Sequence, residues 1–451
     1  MDKNSFIGIA LIIGIFITFG ILNKPSEETL QAQKERQEFV ADSLENVAKL
    51  KAETKELEIE EEAENTIVST LPQAVQDSIN NAKSTILNSK LAKKFDIFVP
   101  SAVGTKDYFT LENEDLIVKI SSKGGSVVST NLKKYQSYKN YMIAKETNPE
   151  VLSKDLEILE PLQIFDEDST SQYFNLELEN ANDLKTSDLY FELISKSDEK
   201  IVLRAKTTDE NKFLEITYKL KENYDVDFKM DFVGLEDDIE GEETTFNWEM
   251  RSLLTEKEQE GQSRMSSVFY KPKNDGRTYL SEMSEQSEEL ESKTSWIAFK
   301  HCYFSSTIIS EEGFERGGSV YSNPIKKGKY SHLYRTELRV PVSLDSRSSI
   351  PLTFFYGPND YEVLKAHNNE MEDIIDLGWG IFRWTAKWLI KPIFDFLKSF
   401  GLGMGIIILL LTIIVRLIIL PLTYKNYKSS AKMKVLKPEI TSPKTVCSLF
   451  K

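Results

Sequence analysis

The sequence predicts an α+β membrane protein: a large antiparallel β-sandwich outside the membrane, an N-terminal transmembrane anchor, an amphipathic interfacial helix and one further transmembrane helix. Three observations carry this. Residues 103–364 are a succession of short alternating runs separated by turn residues. Two apolar runs, 6–22 and 401–422, have lengths that suit a bilayer. Between the sandwich and the second run, "GWGIFRWTAKWLIKPIFDFLKSFG" mixes cations with large aromatics at helical spacing.

At 451 residues, 40% hydrophobic and 11% aromatic, the chain has enough apolar surface for a sizeable core. Its formal charge of −15 argues against a chain dedicated to nucleic acid, which leaves a basic footprint. The acid is concentrated in the middle and the last forty or so residues are basic, so the two regions suit two environments. Cys302 and Cys447 are too few for a disulfide framework and lack zinc-site spacing. His301, His332 and His367 form no ligand pattern, and no cofactor is expected.

Residues 1–23 contain "FIGIALIIGIFITFGIL", an uncharged run longer than the usual core of a signal peptide. It lacks a small-x-small cleavage site, so an uncleaved anchor is expected over a cleaved signal. Residues 24–102 turn to Glu, Lys, Ala and Gln. Val40, Val47, Leu50 and Leu57 fall at heptad-like positions, but the stripe is thin and runs into "ELEIEEEAEN", which suits a solvated helix and flexible tether.

Within 103–364, "DLIVKISSKGGSVVSTNL", "KFLEITYKLKENYDVDFKMDFVGL" and "HLYRTELRVPVSL" alternate with period two or are rich in β-branched and aromatic residues, so they read as half-buried antiparallel strands. Gly124 and Gly125 are expected at a hairpin turn that needs positive φ. "EMSEQSEELESK", 282–293, is expected as an exposed acidic loop.

Residues 365–400 hold the linker and interfacial helix. Arg383, Lys387 and Lys391 recur every four residues and share one helix face, while Phe382, Trp388, Leu389, Ile393 and Phe396 populate the others, with Trp384 beside them. Rings entering the headgroup layer and cations meeting lipid phosphates would suit this pattern, and Arg383, Trp384, Lys387, Trp388 and Lys391 are the expected membrane-interface residues. The rival is a core helix packed on the sandwich.

Residues 401–422 form the second span. The tail, 423–451, begins with Lys425, Lys428, Lys432, Lys434 and Lys437 and no acid as far as Lys437, which places that end in the cytoplasm. Two spans then return the N-terminus to the cytoplasm and leave the sandwich outside, in the periplasm of a bacterium with two membranes.

Arg416 interrupts the second span. An arginine at the centre of a membrane helix costs about 2.5–3.5 kcal/mol on insertion scales, so it is a functional candidate by default. Two readings stand. The guanidinium reaches the cytoplasmic headgroups along its own stem, or it faces a hydrated cavity and attracts polar groups that must enter the bilayer. Thr412, one turn earlier on the same face, would help to wet such a cavity.

"GMGIIILLLTIIVRLIILPLTYKNYKSSAKMKVLKPEI" resembles the first core helix and following cytoplasmic segment of the YidC/Oxa/Alb membrane protein insertases, with Arg416 where that family keeps its groove arginine. "LENEDLIVKISSKGGSVVSTNLKKY", "WIAFKHCYF", "YGPNDYEVL" and "DLGWGIF" resemble landmarks of the Gram-negative branch's periplasmic domain. The resemblance implies a periplasmic β-supersandwich, a membrane-surface helix, and five transmembrane helices around a hydrophilic groove in which Arg416 receives polar parts of a client. It implies an inner-membrane insertase and chaperone that is not an enzyme. Its implied partners are nascent membrane proteins, the Sec translocon, the ribosome and the lipid bilayer. After residue 440 the pattern is lost in "TSPKTVCSLFK", which implies a copy cut short after the first core helix.

Two other classes fit parts of the chain. The sandwich could be a carbohydrate-binding or epimerase-like domain, with His301 and His332 near Trp296 and Tyr303 as nominal candidates, or a membrane-tethered periplasmic scaffold.

Overall fold

The computed structural model describes residues 89–151, 157–179, 183–342, 347–378 and 380–440. The anchor and most of the tether expected at 1–102 lie outside the described residues. The compact part begins before residue 103, because Phe95 and Phe98 are buried in the sandwich core around the 3-10 turn Asp96–Ser101.

A four-stranded antiparallel sheet comes first, formed by β1 (Tyr108–Glu112), β2 (Leu116–Ser121), β3 (Val127–Leu132) and β4 (Leu162–Phe165) in that order. Leu116, Val118 and Ile120 of β2 are wholly buried, as period-two alternation requires. Gly124 (φ +80°) and Gly125 (φ +59°) turn β2 into β3. A Cβ on Gly125 would lie 2.8 Å from Cδ1 of Ile216, so the turn needs glycine for space as well as for φ.

Fourteen further strands form two layers of one continuous sheet. One layer holds β5 (Thr170–Leu176), β6 (Leu184–Lys185), β11 (Glu243–Leu253), β14 (Gln286–Glu289) and β17 (Tyr330–Pro341). The other holds β7 (Glu192–Lys196), β8 (Lys200–Lys206), β9 (Phe213–Leu220), β10 (Asp225–Val233), β12 (Ser267–Pro272), β13 (Thr278–Tyr279), β15 (Thr294–His301) and β18 (Arg347–Pro358).

The 21-residue strand β16 (Phe304–Pro324) belongs to both layers. Its first half pairs with β15 and β18, and its second half pairs with β14 and β17. Irregular pairing around Gly313 and Gly317, both at positive φ, lets it change layers.

Aromatic side chains close the layers on each other. Phe174 of β5 stacks on Phe228 of β10 at 5.7 Å, and Trp248 of β11 meets Phe299 of β15 at 4.6 Å. The expected antiparallel sandwich is thus observed. The stretch expected as an acidic loop departs from expectation: β14 lies inside it, Leu290 is buried, and Glu288 accepts a 2.6 Å hydrogen bond from the Tyr270 hydroxyl. β14 is an edge strand whose Glu289 is exposed while Glu288, on the opposite face, is half-buried against Tyr270.

Short helices α1 (Tyr138–Thr147) and α2 (Gln259–Ser263) decorate the sandwich. After β18 the chain passes through α3 (Tyr361–Lys365), capped by the Asp360 carboxylate, and the 3-10 turn Met371–Ile374. Leu364, Met371 and Ile374 are fully buried, and the Trp296 indole donates to the Asn369 carbonyl at 2.9 Å. This linker is therefore part of the rigid sandwich.

Candidate functional site

The linker leads into a helix made of α4 (Ile381–Thr385), a π turn (Ala386–Ile390) and α5 (Lys391–Lys398). Pro392 accounts for the π turn. It has no N–H for the carbonyl of Trp388, and its ring crowds that carbonyl. Ile381, Phe382, Trp384, Trp388, Phe396 and Phe400 are 61–70% exposed, a contiguous apolar surface that water alone would not favour.

Two cations of the helix have protein partners. Arg383 Nη2 lies 2.6 Å from Oδ1 of Asp373. Lys391 pairs with Glu362 and, at 2.6 Å, with Asp395, and its Nζ lies 4.8 Å from the Tyr361 ring centroid. Lys387, exposed, has no ion pair among the described residues. Half-exposed pairs of this kind are each worth about 0.2–1 kcal/mol, enough to set an orientation and too little to hold a fold.

After a break at Gly401, where φ is +67°, the last helix, α6 (Met404–Ile440), begins three residues past the expected start of the span. Its stretch Met404–Pro421 is long and apolar enough to cross a membrane and is almost entirely exposed in the isolated chain. α5 packs against α6, and Leu397 and Ile407 are buried.

Arg416 projects from this helix, exposed and without an ion pair among the described residues. The hydroxyls of Thr412 and Thr423 donate to the carbonyls of Ile408 and Ile419, both at 2.8 Å. At about 100° per residue, Thr412, Arg416 and Thr423 fall within roughly 40° of one line along the helix, about 16 Å long at 1.5 Å per residue. The result is a polar stripe in an apolar helix. Such a stripe offers a permanent charge with five N–H donors and two hydroxyls whose lone pairs remain free to accept. Thr423 escaped the sequence reading because it lies just past the expected span, 401–422.

In the sandwich, His301 and His332 are not brought together as a reactive pair. Burial drives the His301 imidazole down to about 3 and that of His332 to about 4, so both are neutral at pH 7. His301 stacks near Phe304 and His332 on Tyr334. His332 Nδ1 stands 3.4 Å from the Ser263 hydroxyl, but among the described residues no carboxylate orients either ring. Burial likewise raises the Cys302 thiol to about 11, away from a reactive thiolate.

A β-sandwich whose C-terminal linker runs through an aromatic helix into a span bearing a polar stripe defines a membrane protein with a large extramembrane domain. The sequence pattern described as the YidC periplasmic domain matches residues 109–395, and the one described as 60Kd inner membrane protein matches residues 396–445. The chain belongs to the YidC family. It is 33% identical over 451 residues to the membrane protein insertase YidC of Parabacteroides distasonis, covering 98% of this chain and 66% of that one. With its counterpart in Phocaeicola vulgatus it shares 31% identity over 452 residues, covering 98% and 65%. The chain thus spans about two thirds of the length of these relatives. A solved structure of an active YidC insertase with its first transmembrane domain resolved is 14% identical, covers 80% of this chain and 67% of that one, and has a TM-score of 0.30.

Proposed function

We propose that this chain serves membrane-protein insertion and folding in a bacterial inner membrane, with its sandwich in the periplasm and its N-terminal run, 1–23, as an anchor. The observation that carries this reading is the stripe Thr412–Arg416–Thr423 on the apolar helix. α6 forms one wall of a hydrophilic groove, and Arg416 draws polar or acidic client segments below the lipid surface. No bond is made or broken. A hydrated groove lowers the desolvation cost of a short polar segment, and transfer of the client's apolar helix into lipid supplies the drive.

Family membership and the names of the relatives support this reading, with nascent membrane proteins as clients and the Sec translocon and ribosome as partners. The helix 381–400 lies in the headgroup layer on the periplasmic side, and Lys425, Lys428 and Lys432 hold the other end of the span in the cytoplasm. The test is insertion of a client with an acidic translocated segment by a version of the chain extended to the full length of its relatives, comparing wild type with Arg416→Ala and Arg416→Lys. Alanine impairs insertion severalfold and lysine largely retains it. Equal activity of wild type and alanine variant rejects the groove role.

A further inference from the structure

The helix 381–398 carries two adjacent stripes. Arg383, Lys387 and Lys391 form one, and Trp384, Trp388 and Phe396, continued by Phe400, form the other, exposed one. The partners of the outer two cations, Asp373 and Glu362, sit on the linker after β18. That linker is fixed in the core by Leu364, Met371 and Ile374 and by the Trp296–Asn369 hydrogen bond. Arg383 and Lys391 are therefore turned toward carboxylates at two points on the sandwich, which leaves Lys387 as the cation of this stripe without an ion pair among the described residues.

We infer that the aromatic stripe is a docking surface for a net-neutral, zwitterionic lipid interface, with its roll set by Asp373 and Glu362, and that anionic headgroups are not needed to seat it. This rests on the interfacial placement proposed above. Continuity argues for lipid as the occupant, since the aromatic stripe runs through Phe400 and three further residues into the span Met404–Pro421. Indole and phenyl rings favour the headgroup boundary whatever its charge. Asp373 and Glu362 are positioning residues: they touch no lipid and act through Arg383 and Lys391.

The full chain is reconstituted in vesicles of chain-brominated phosphatidylcholine, alone or with about a third of it replaced by equally brominated phosphatidylglycerol, at low and high salt, and tryptophan quenching is read. Trp248 and Trp296 are buried in the sandwich, so a Trp379→Phe background leaves Trp384 and Trp388 as reporters. Wild type is quenched equally in all four conditions. Glu362→Gln with Asp373→Asn and Asp395→Asn releases both cations, since Lys391 pairs with Asp395 as well as Glu362, and makes quenching depend on phosphatidylglycerol by about twofold or more, with loss at high salt. The charge swap Asp373→Arg with Arg383→Asp, keeping Glu362, retains the wild-type indifference.

Wild-type quenching that already depends on anionic lipid, or a neutralised variant indistinguishable from wild type, overturns the inference and leaves the interfacial placement standing. Absence of quenching in every condition overturns both.

Discussion

Phe174 lies parallel to Phe228, with ring planes 7° apart and centroids 5.7 Å apart, each ring rooted in a different layer of the sandwich. Phe228 also meets Tyr218 and Phe354 edge-on at 5.3 and 5.9 Å, so it is a node where three strands of one layer converge on the other.

Phe228→Ala should therefore destabilise the sandwich by about 3–5 kcal/mol, the cost of emptying a closed aromatic site. Thermal unfolding of the purified chain, followed by near-ultraviolet circular dichroism, checks this. A loss below about 1 kcal/mol would mean that the layers do not close at this point.

The buried histidines give the sandwich a pH dependence of known sign. Both imidazoles titrate in the unfolded chain near their ordinary value of about 6.5, but only at about 3 (His301) and about 4 (His332) when folded. Below pH 6.5 the unfolded state binds more protons. The stabilisation is thus complete above that pH and drains away as pH falls toward the folded values. The slope is at most about 1.4 kcal/mol per pH unit for each histidine. Tm measured between pH 7 and 4 should fall, and His301→Phe should flatten the curve. A His301→Phe curve as steep as wild type contradicts the assignment to this ring.

Pro392 aligns the two ends of the helix that carries the aromatic stripe. Pro392→Ala restores the missing N–H and removes the reason for the π turn Ala386–Ile390. Closing that turn rotates Lys391 by about 100° relative to Arg383, so both cannot reach their carboxylates on the linker at once. Disulfide trapping between Glu362→Cys and Lys391→Cys should drop severalfold in the Pro392→Ala background. Unchanged trapping would show that the turn has another cause.

Much of this architecture could be read from residue order alone. β11 alternates buried and half-buried positions along Phe246, Trp248, Met250 and Ser252, so its amphipathic pattern is visible in sequence. The Gly124–Gly125 turn was equally legible, because few residues other than glycine adopt such φ values. The double membership of β16 was not, since it depends on four partners, β14, β15, β17 and β18, and not on its own pattern.

The site divides the same way. Arg416 announces itself because a charge in an apolar run is costly wherever it occurs. Asp373 and Glu362 carry no such signal: they are two carboxylates in an acidic protein, and only folding of the linker brings them to Arg383 and Lys391. The cations were legible, but their engagement with the protein was not.

The central claim is that the face of α6 carrying Arg416 is wet at a depth where the rest of the helix meets lipid. Cysteine placed singly at Arg416, Ile413 and Leu417 in native membranes, and treated with a charged, membrane-impermeant thiol reagent, tests this most directly. A cysteine cannot reach the headgroups as an arginine can. The account predicts rapid labelling at 416 and labelling at least about tenfold slower at 413 and 417, which lie on other faces within about 4.5 Å of its depth. Labelling at 416 as slow as at its neighbours would contradict it.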